Sequence, residues 1–356
     1  MSVPTRVSVI VRSMARPSLG ATLDAIAQQT HPALEVVLVA ACGAAHPPPP
    51  ARCGSHPIRF VPGEAPLDRP RAANAGLDAA TGDWITFLDD DDTIEAGHVA
   101  GLAAGIAEAP DAGVIHSLSR AVLKDGTKRT LGRPVARVQL FERSFIHLSA
   151  ALVDRRLVAA GARFDADFAI LEDWDFFLGL SQVTRFHFVP RATFVWHADA
   201  GDSGAGGGVN QDDARFAHFR DRIYAKWRPA REALAAKVEP MLAAAASAAQ
   251  GGRLDEAEAQ GHAVLAASQN DPWALNLLAL VARGRGDLAR ARRLQSLAVD
   301  VRPGDADLVY NLALLCRDAG DLTAARAHAA HAAMLAPQDP KHRRLIAGLD
   351  SLPTRS

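Results

Sequence analysis

The chain has 356 residues, 49% of them hydrophobic and 22% charged, with a formal net charge of -1. That length suits two domains better than one, and the composition is that of an ordinary folded protein, which excludes disorder across the bulk. The near-zero charge excludes nucleic acid as a partner drawn in by a global field, and three scattered cysteines (Cys42, Cys53, Cys316) without a C-x-x-C exclude a disulfide framework or a zinc site.

Met1 to Val11 lacks the long apolar core of a secretory signal, and no stretch approaches the roughly 18 apolar residues of a membrane span. A soluble, cytoplasmic protein is expected, with attachment to the inner face of a membrane left open.

In chain order, Val7–Val11 reads as an apolar strand and Leu19–Gln28 as a helix. Glu35–Val39 is a second strand, and together they form a βαβ unit with parallel pairing. Pro47–Pro50 marks a turn, Ile58–Val61 a third strand, and Ala72–Ala80 a helix. Trp84–Leu88 is an apolar strand that runs into Asp89-Asp90-Asp91-Asp92. The pattern predicts an α/β domain with a mostly parallel sheet.

Asp199–Asp213 is glycine-rich and reads either as a flexible linker or as a lid over a site. Asp212–Trp227 reads as a helix closing the first domain, since Phe216, Phe219, Ile223 and Trp227 recur at spacings of three and four, and Pro229 is expected to end it. The expected division is 1–228 and 229–356.

Beyond Pro229 the chain repeats. Gly252, Gly286 and Gly320 recur every 34 residues, as do Leu254, Leu288 and Leu322, and Ala257, Ala291 and Ala325. Gln269, Pro303 and Pro337 keep the same phase. A 34-residue helix-turn-helix period resembles the tetratricopeptide repeat, so three units are expected, closed by a polar capping helix over Pro340–Leu352. The repeat phase points Trp273, Asn276, Arg283, Tyr310 and Arg317 toward an inner groove. Such a groove binds a protein partner, mediates self-association or only buttresses the first domain.

Four carboxylates at a strand's carboxyl end repel one another unless a cation neutralises them, and ligands of open α/β sheets bind at those strand ends. Hard oxygen ligands select Mg²⁺ or Mn²⁺. The alternative is a helix cap, with Asp92 or Thr93 starting a helix over Ile94–Ala107. Glu172-Asp173-Trp174-Asp175 likewise suits either a site or the dipole of a helix N-terminus.

Arg71-Ala72-Ala73-Asn74-Ala75-Gly76, followed by Ala80–Asp92, resembles the donor-site segment of family 2 glycosyltransferases of the GT-A fold. Val9–Arg12 with Arg16-Pro17, then Gln28-Gln29-Thr30 and Glu35–Val39, resembles the start of that family. Leu171–Asp175 resembles its acceptor-site motif. The resemblance implies an α/β, GT-A, Rossmann-like mixed-sheet domain ahead of the all-α repeat domain. It implies a divalent metal, Mn or Mg, held by Asp89, Asp91 and His197. The donor, a nucleotide-diphospho-sugar, would meet Arg71, Asn74, Asp89 and Asp90. Asp173 would be the catalytic base, with Glu172 and Trp174 on the acceptor side, and Ser203 would touch phosphate. The acceptor would be a hydroxyl on a glycan, a lipid-linked sugar or a protein, as in surface polysaccharide synthesis. The family commonly ends its second strand with a carboxylate that reads the nucleobase or ribose, but here Ala40-Ala41-Cys42 stands, leaving Arg12 to take part of that contact.

Two other readings stand beside the inverting transferase. A degenerate sugar-nucleotide-binding scaffold would act through its repeats. A nucleotidyltransferase needs a glycine-rich phosphate loop after the first strand, and Val11–Arg16 contains no glycine.

Overall fold

The computed structural model describes residues 4–123, 125–197 and 212–352. Ser203 and nearly all of the glycine-rich stretch lie outside them. In chain order the elements up to His197 are β1 (Val7–Ser13), α1 (Leu19–Ala27), β2 (Leu34–Ala40), β3 (Arg52–Cys53), β4 (His56–Val61), α2 (Arg69–Ala79), β5 (Trp84–Asp89), β6 (Thr93–Ile94), α3 (His98–Glu108), β7 (Ala112–Val122), β8 (Lys128–Leu131), α4 (Arg137–Leu140), β9 (Ala151–Asp154), α5 (Arg155–Ala159), α6 (Glu172–Ser181) and β10 (Arg185–His197). After them come α7 (Asp213–Gln250), α8 (Leu254–Ala267), α9 (Pro272–Gly284), α10 (Leu288–Val301), α11 (Ala306–Asp318), α12 (Leu322–Leu335) and α13 (Pro340–Asp350). Two compact units result. One comprises Met1–Arg133 and Leu140–Trp227, the other Pro134–Gln139 and Arg228–Ser356.

The first unit is a mixed sheet in the order β3-β4-β2-β1-β5-β9-β7-β10-β6, with β8 on β7. β1 lies parallel between β2 and β5, while β9 runs antiparallel to both β5 and β7. The expected parallel βαβ start is present, and β9, antiparallel to both its neighbours, makes the sheet mixed. β1 is buried along its whole length, which is why it reads as a continuous apolar run. α2 crosses β1 closely because residue 76 is glycine, where a Cβ would lie 2.3 Å from Ile10 Cγ2.

Thr93 and Ile94 do not start a helix. They form β6, antiparallel to β10 with Thr93 opposite Val195, and α3 begins later with Gly97 at its N-cap. The strand pairing satisfies backbone groups that a cap would otherwise have to cover. The acidic run is therefore not a helix cap.

Pro229 does not end the helix after Asp212 either. α7 runs on to Gln250 with Pro229 and Pro240 inside it. Each proline removes one helical N–H, yet the flanking residues are good helix formers, and Ile223, Leu234 and Val238 are buried on either side. Within the first unit, Trp227 Nε1 donates to Asp175 at 2.8 Å and Lys226 pairs with the same carboxylate.

In the second unit the helix starts Leu254, Leu288 and Leu322 keep the 34-residue interval, and so do Pro272, Ala306 and Pro340. Gly252, Gly286 and Gly320 all sit in the left-handed region, with φ of 73, 81 and 79°. Such a residue reverses the chain after a helix at no steric cost. Asp271, Asp305 and Asp339 each cap a helix with the side-chain oxygen, a second 34-residue column. Ala279, Ala282 and Ala291 are fully buried against Leu315, so small side chains bring the helices close. α13 closes the array with Leu345 and Leu349 in the core beside Ala325 and Ala329. Of the residues expected in the groove, Trp273 is exposed, Asn276 accepts from Asn311, Arg283 and Arg317 pair with Asp318, and Tyr310 packs on His342. No helix among the described residues is long and apolar enough to cross a membrane.

Candidate functional site

The site forms at the carboxyl ends of β1 and β5, where ligands of such sheets bind. The register places Arg12 directly beside Asp89. Arg12 Nε and Nη2 reach the two Asp89 oxygens, each at 2.8 Å, a bidentate pair, and Nη1 donates to Glu172 Oε1 at 2.9 Å. A second arginine completes the knot. Arg69 lies 3.3 Å from Asp89 Oδ2 and 3.2 Å from Glu172 Oε1. The N-terminus of α2 positions it, with Asp68 as cap and Pro70 in the first turn. Burial opposes the charge on Asp89, but Arg12 and Arg69 outweigh it and hold the carboxyl down at about 2. The same two cations tie the acidic run to the start of α6.

α6 enters through strained backbone. Leu171 has φ 61°, a left-handed conformation that a leucine adopts at a cost. The turn sets Glu172 inward, 2% exposed, and Asp173 half-buried beside it. Asp173 Oδ1 accepts from Trp174 N at 2.8 Å. Burial and the neighbouring Glu172 charge push the Asp173 carboxyl up to about 6, against the pull of Arg69. It is thus matched to taking a proton near neutral pH.

The remaining acids differ from one another. Asp90 is fully buried and its oxygens are used locally, by Met14 N at 2.7 Å, Ser13 Oγ at 3.1 Å and Arg16 Nη1 at 2.5 Å. It braces the loop after β1. Asp91 is raised by burial and by Asp89, against the pull of Arg16, 3.9 Å away, and of a backbone hydrogen bond. Asp92 accepts from the His197 backbone N–H at 3.2 Å, and burial with Asp89 and Asp91 nearby pushes its carboxyl up to about 8. The β6–β10 pairing brings His197 there, with Nε2 3.4 Å from Thr93 Oγ1.

Asp89, Asp91, Asp92 and His197 line one cavity of about 330 Å³ together with Arg12, Arg16, Arg69 and Arg215. Met14, Ala41 and Leu67 give it an apolar wall, with Ala41 standing where the family's base-reading carboxylate was missed. The donor types, carboxylate oxygens and one imidazole, are those that a hard divalent cation takes, and burial with neighbouring negative charge raises both the Asp91 and the Asp92 carboxyl. Among the described residues the one group of three or more such side chains whose ligand atoms lie close enough together to share an ion is Asp307, Asp339 and His342, in the repeats. Lys341 already pairs with both of its acids.

Three expected site residues have other work. Arg71 is exposed and pairs with Asp68. Both ends of the Asn74 amide are taken by Phe164, through O at 2.8 Å and N at 3.0 Å, so it fastens α2 to the chain before α6. Trp174 is buried, with Nε1 donating to Leu140 O at 2.6 Å and its ring edge-on to Tyr224. None of the three lines the cavity. Arg69, Asp92, Arg16 and Arg215 do line it and were not expected as donor or metal residues. For Arg69 the signal was present in Asp68-Arg69-Pro70, a capped helix start aimed at the strand ends.

The model for glycosyl transferase family 2 matches residues 8–158. The Bacillus subtilis glycosyltransferase YwdF is 30% identical over 208 residues, 56% of this chain and 76% of that protein. A PGL/p-HBAD biosynthesis glycosyltransferase of Mycobacterium tuberculosis is 30% identical over 128 residues, 35% of this chain and 49% of that protein. Among solved structures, Staphylococcus aureus TarS 1–349 in complex with UDP-GlcNAc matches at 16% identity, covering 94% of this chain and 92% of that one, with a TM-score of 0.48.

Proposed function

The chain belongs to glycosyl transferase family 2, and from that premise we propose a metal-dependent, inverting enzyme that moves a sugar from a nucleoside-diphosphate sugar to a hydroxyl acceptor. One observation carries the reading. Asp91, Asp92 and His197 line one cavity in which burial and mutual repulsion raise both carboxyls, and Asp173, a carboxyl raised to about 6, follows directly on the Glu172 that the cavity arginines hold.

A divalent ion would be held by Asp91, Asp92 and His197, with Asp89 beside them committed to arginine. It would supply positive charge to the diphosphate as negative charge develops there. Asp173 accepts the proton of the attacking hydroxyl. The acceptor oxygen then bonds to the anomeric carbon as the bond from that carbon to the phosphate oxygen breaks, so attack and departure on opposite faces invert the centre. Arg12 and Arg69 keep the donor side and the Asp173 side in fixed register. Asp90 shapes the Ser13–Arg16 loop that walls the cavity. The acceptor class is a glycan, a lipid-linked sugar or a protein hydroxyl. The first unit is assigned to transfer, and the tetratricopeptide-like second unit to a protein partner.

The test is turnover of nucleotide sugars with and without Mn²⁺, in wild type and Asp173→Asn. Metal-dependent release of nucleoside diphosphate, lost in the variant while donor binding stays, is expected. Undiminished turnover in Asp173→Asn would refute the assignment of the base.

A further inference from the structure

Four arginines line the cavity, and three of them are spent. Arg12 and Arg69 are shared between Asp89 and Glu172, and Arg16 is held by Asp90 with Asp91 nearby. Each of these guanidiniums is bound to a carboxylate that it cannot leave without exposing a buried charge. The fourth, Arg215, differs. Its backbone N–H is capped by Asp212 Oδ1 at 2.9 Å, which fixes it in the first turn of α7. Its guanidinium has no hydrogen-bond or ion-pair partner among the described residues, and it is exposed at the cavity.

A diphosphate entering this cavity meets four carboxylates, those of Asp68, Asp89, Asp91 and Asp92. A metal ion offsets part of that repulsion, and the arginines already paired to acids offset none of it. A guanidinium offers several N–H donors in a planar fork that matches phosphate oxygens two at a time. Resting on the glycosyltransferase reading above, we propose that Arg215 is a substrate-contacting residue that binds the diphosphate of the donor and stabilises it as the leaving group. When the bond from the anomeric carbon to the phosphate oxygen breaks, its electron pair stays on that oxygen and the acceptor proton goes to Asp173. Arg215 donates hydrogen bonds to the phosphate oxygens and gives up no proton. The contact strengthens as charge grows on those oxygens, so it acts on turnover as well as on affinity.

The experiment is calorimetric titration of the full chain with Mn²⁺-pyrophosphate and with UDP, GDP, CDP, ADP and dTDP in the presence of Mn²⁺. Arg215→Ala, Arg215→Lys and Arg220→Ala are compared with wild type. Arg220 is on the same helix, does not line the cavity and pairs with Asp221, so it controls for loss of one positive charge. Arg215→Ala is expected to weaken binding about tenfold or more, the size of a charge-assisted hydrogen bond. Arg215→Lys should fall nearer wild type than alanine, and Arg220→Ala should bind as wild type. With the wild type's own nucleotide sugar, Arg215→Ala should lower kcat as well as raise KM, with its melting temperature unchanged. Wild-type affinity in Arg215→Ala, or equal losses in Arg215→Ala and Arg220→Ala, overturns the proposal and leaves the transferase reading intact. Failure of folded wild type to bind any of these probes overturns the donor reading and the role of Arg215 with it.

Discussion

Arg12→Met removes the centre of the buried ion network while keeping much of the side chain's bulk. Arg12 and Glu172 are 7% and 2% exposed. The substitution deletes three charge-assisted hydrogen bonds, two to Asp89 and one to Glu172. Arg69 remains near both acids at 3.3 and 3.2 Å, so neither is stranded completely. Breaking a buried ion pair from one side costs about 3–5 kcal/mol, and the loss here is expected at roughly that size. Glu172→Gln in the same background removes one of the two acids that Arg69 must then serve, so the double variant should lose less than the sum of the singles, by about 1–3 kcal/mol. Urea denaturation followed by tryptophan fluorescence reads this. Trp84, Trp174, Trp196 and Trp227 lie in the first unit, and replacing Trp273 by Phe in every variant confines the signal to it. A loss below about 1 kcal/mol for Arg12→Met, the range of a surface pair, or strict additivity in the cycle, would refute the claim that these four charges act as one buried unit.

Asp91→Ala should abolish metal-dependent donor binding while the fold persists, as read by calorimetry with Mn²⁺; full metal-dependent affinity in the variant would contradict it. With the Asp173 carboxyl raised to about 6, the proposed base role predicts that turnover falls as pH drops through about 6 and levels off above it, and a profile flat down to pH 5 would contradict the base assignment. Asn74→Ala should cost about 1–3 kcal/mol in denaturation, since it strands the Phe164 backbone groups, yet leave nucleotide affinity unchanged. His116 is fully buried with neither ring nitrogen hydrogen-bonded, and burial pushes it down to about 3, as it pushes His98 to about 4. Both fold neutral, so the stability present above pH 6.5 is lost as pH falls toward those values. His116→Leu should flatten that loss and raise stability by about 1 kcal/mol or more, measured as urea midpoints from pH 4 to 7.

The elements that define the fold were legible because they rest on local patterns. The continuous apolar run of β1 and the 34-residue glycine columns both survive in the structure with their physical causes intact. The site was legible only where chemistry is written into consecutive residues, as in Asp89–Asp92 and Glu172-Asp173. Arg69 and Arg71 show the limit. At 3.6 residues per turn they stand roughly 200° apart on α2, so one reaches the cavity and the other solvent, and only the helix phase decides which. The significance of Asp92 depends on β6 pairing with β10, across a hundred residues of chain. Asn74 and Trp174 resembled ligand-binding residues because position in a motif does not reveal that a partner such as Phe164 O or Leu140 O consumes the polar atom. Pro229 failed as a stop because packing on both sides of it outweighs one lost helical hydrogen bond.

The most direct test of the account is calorimetric binding of UDP, GDP, CDP, ADP and dTDP to the full chain, with and without Mn²⁺. The account predicts one preferred nucleotide, bound only when the metal is present. A well-folded chain that binds none of them under either condition would contradict it.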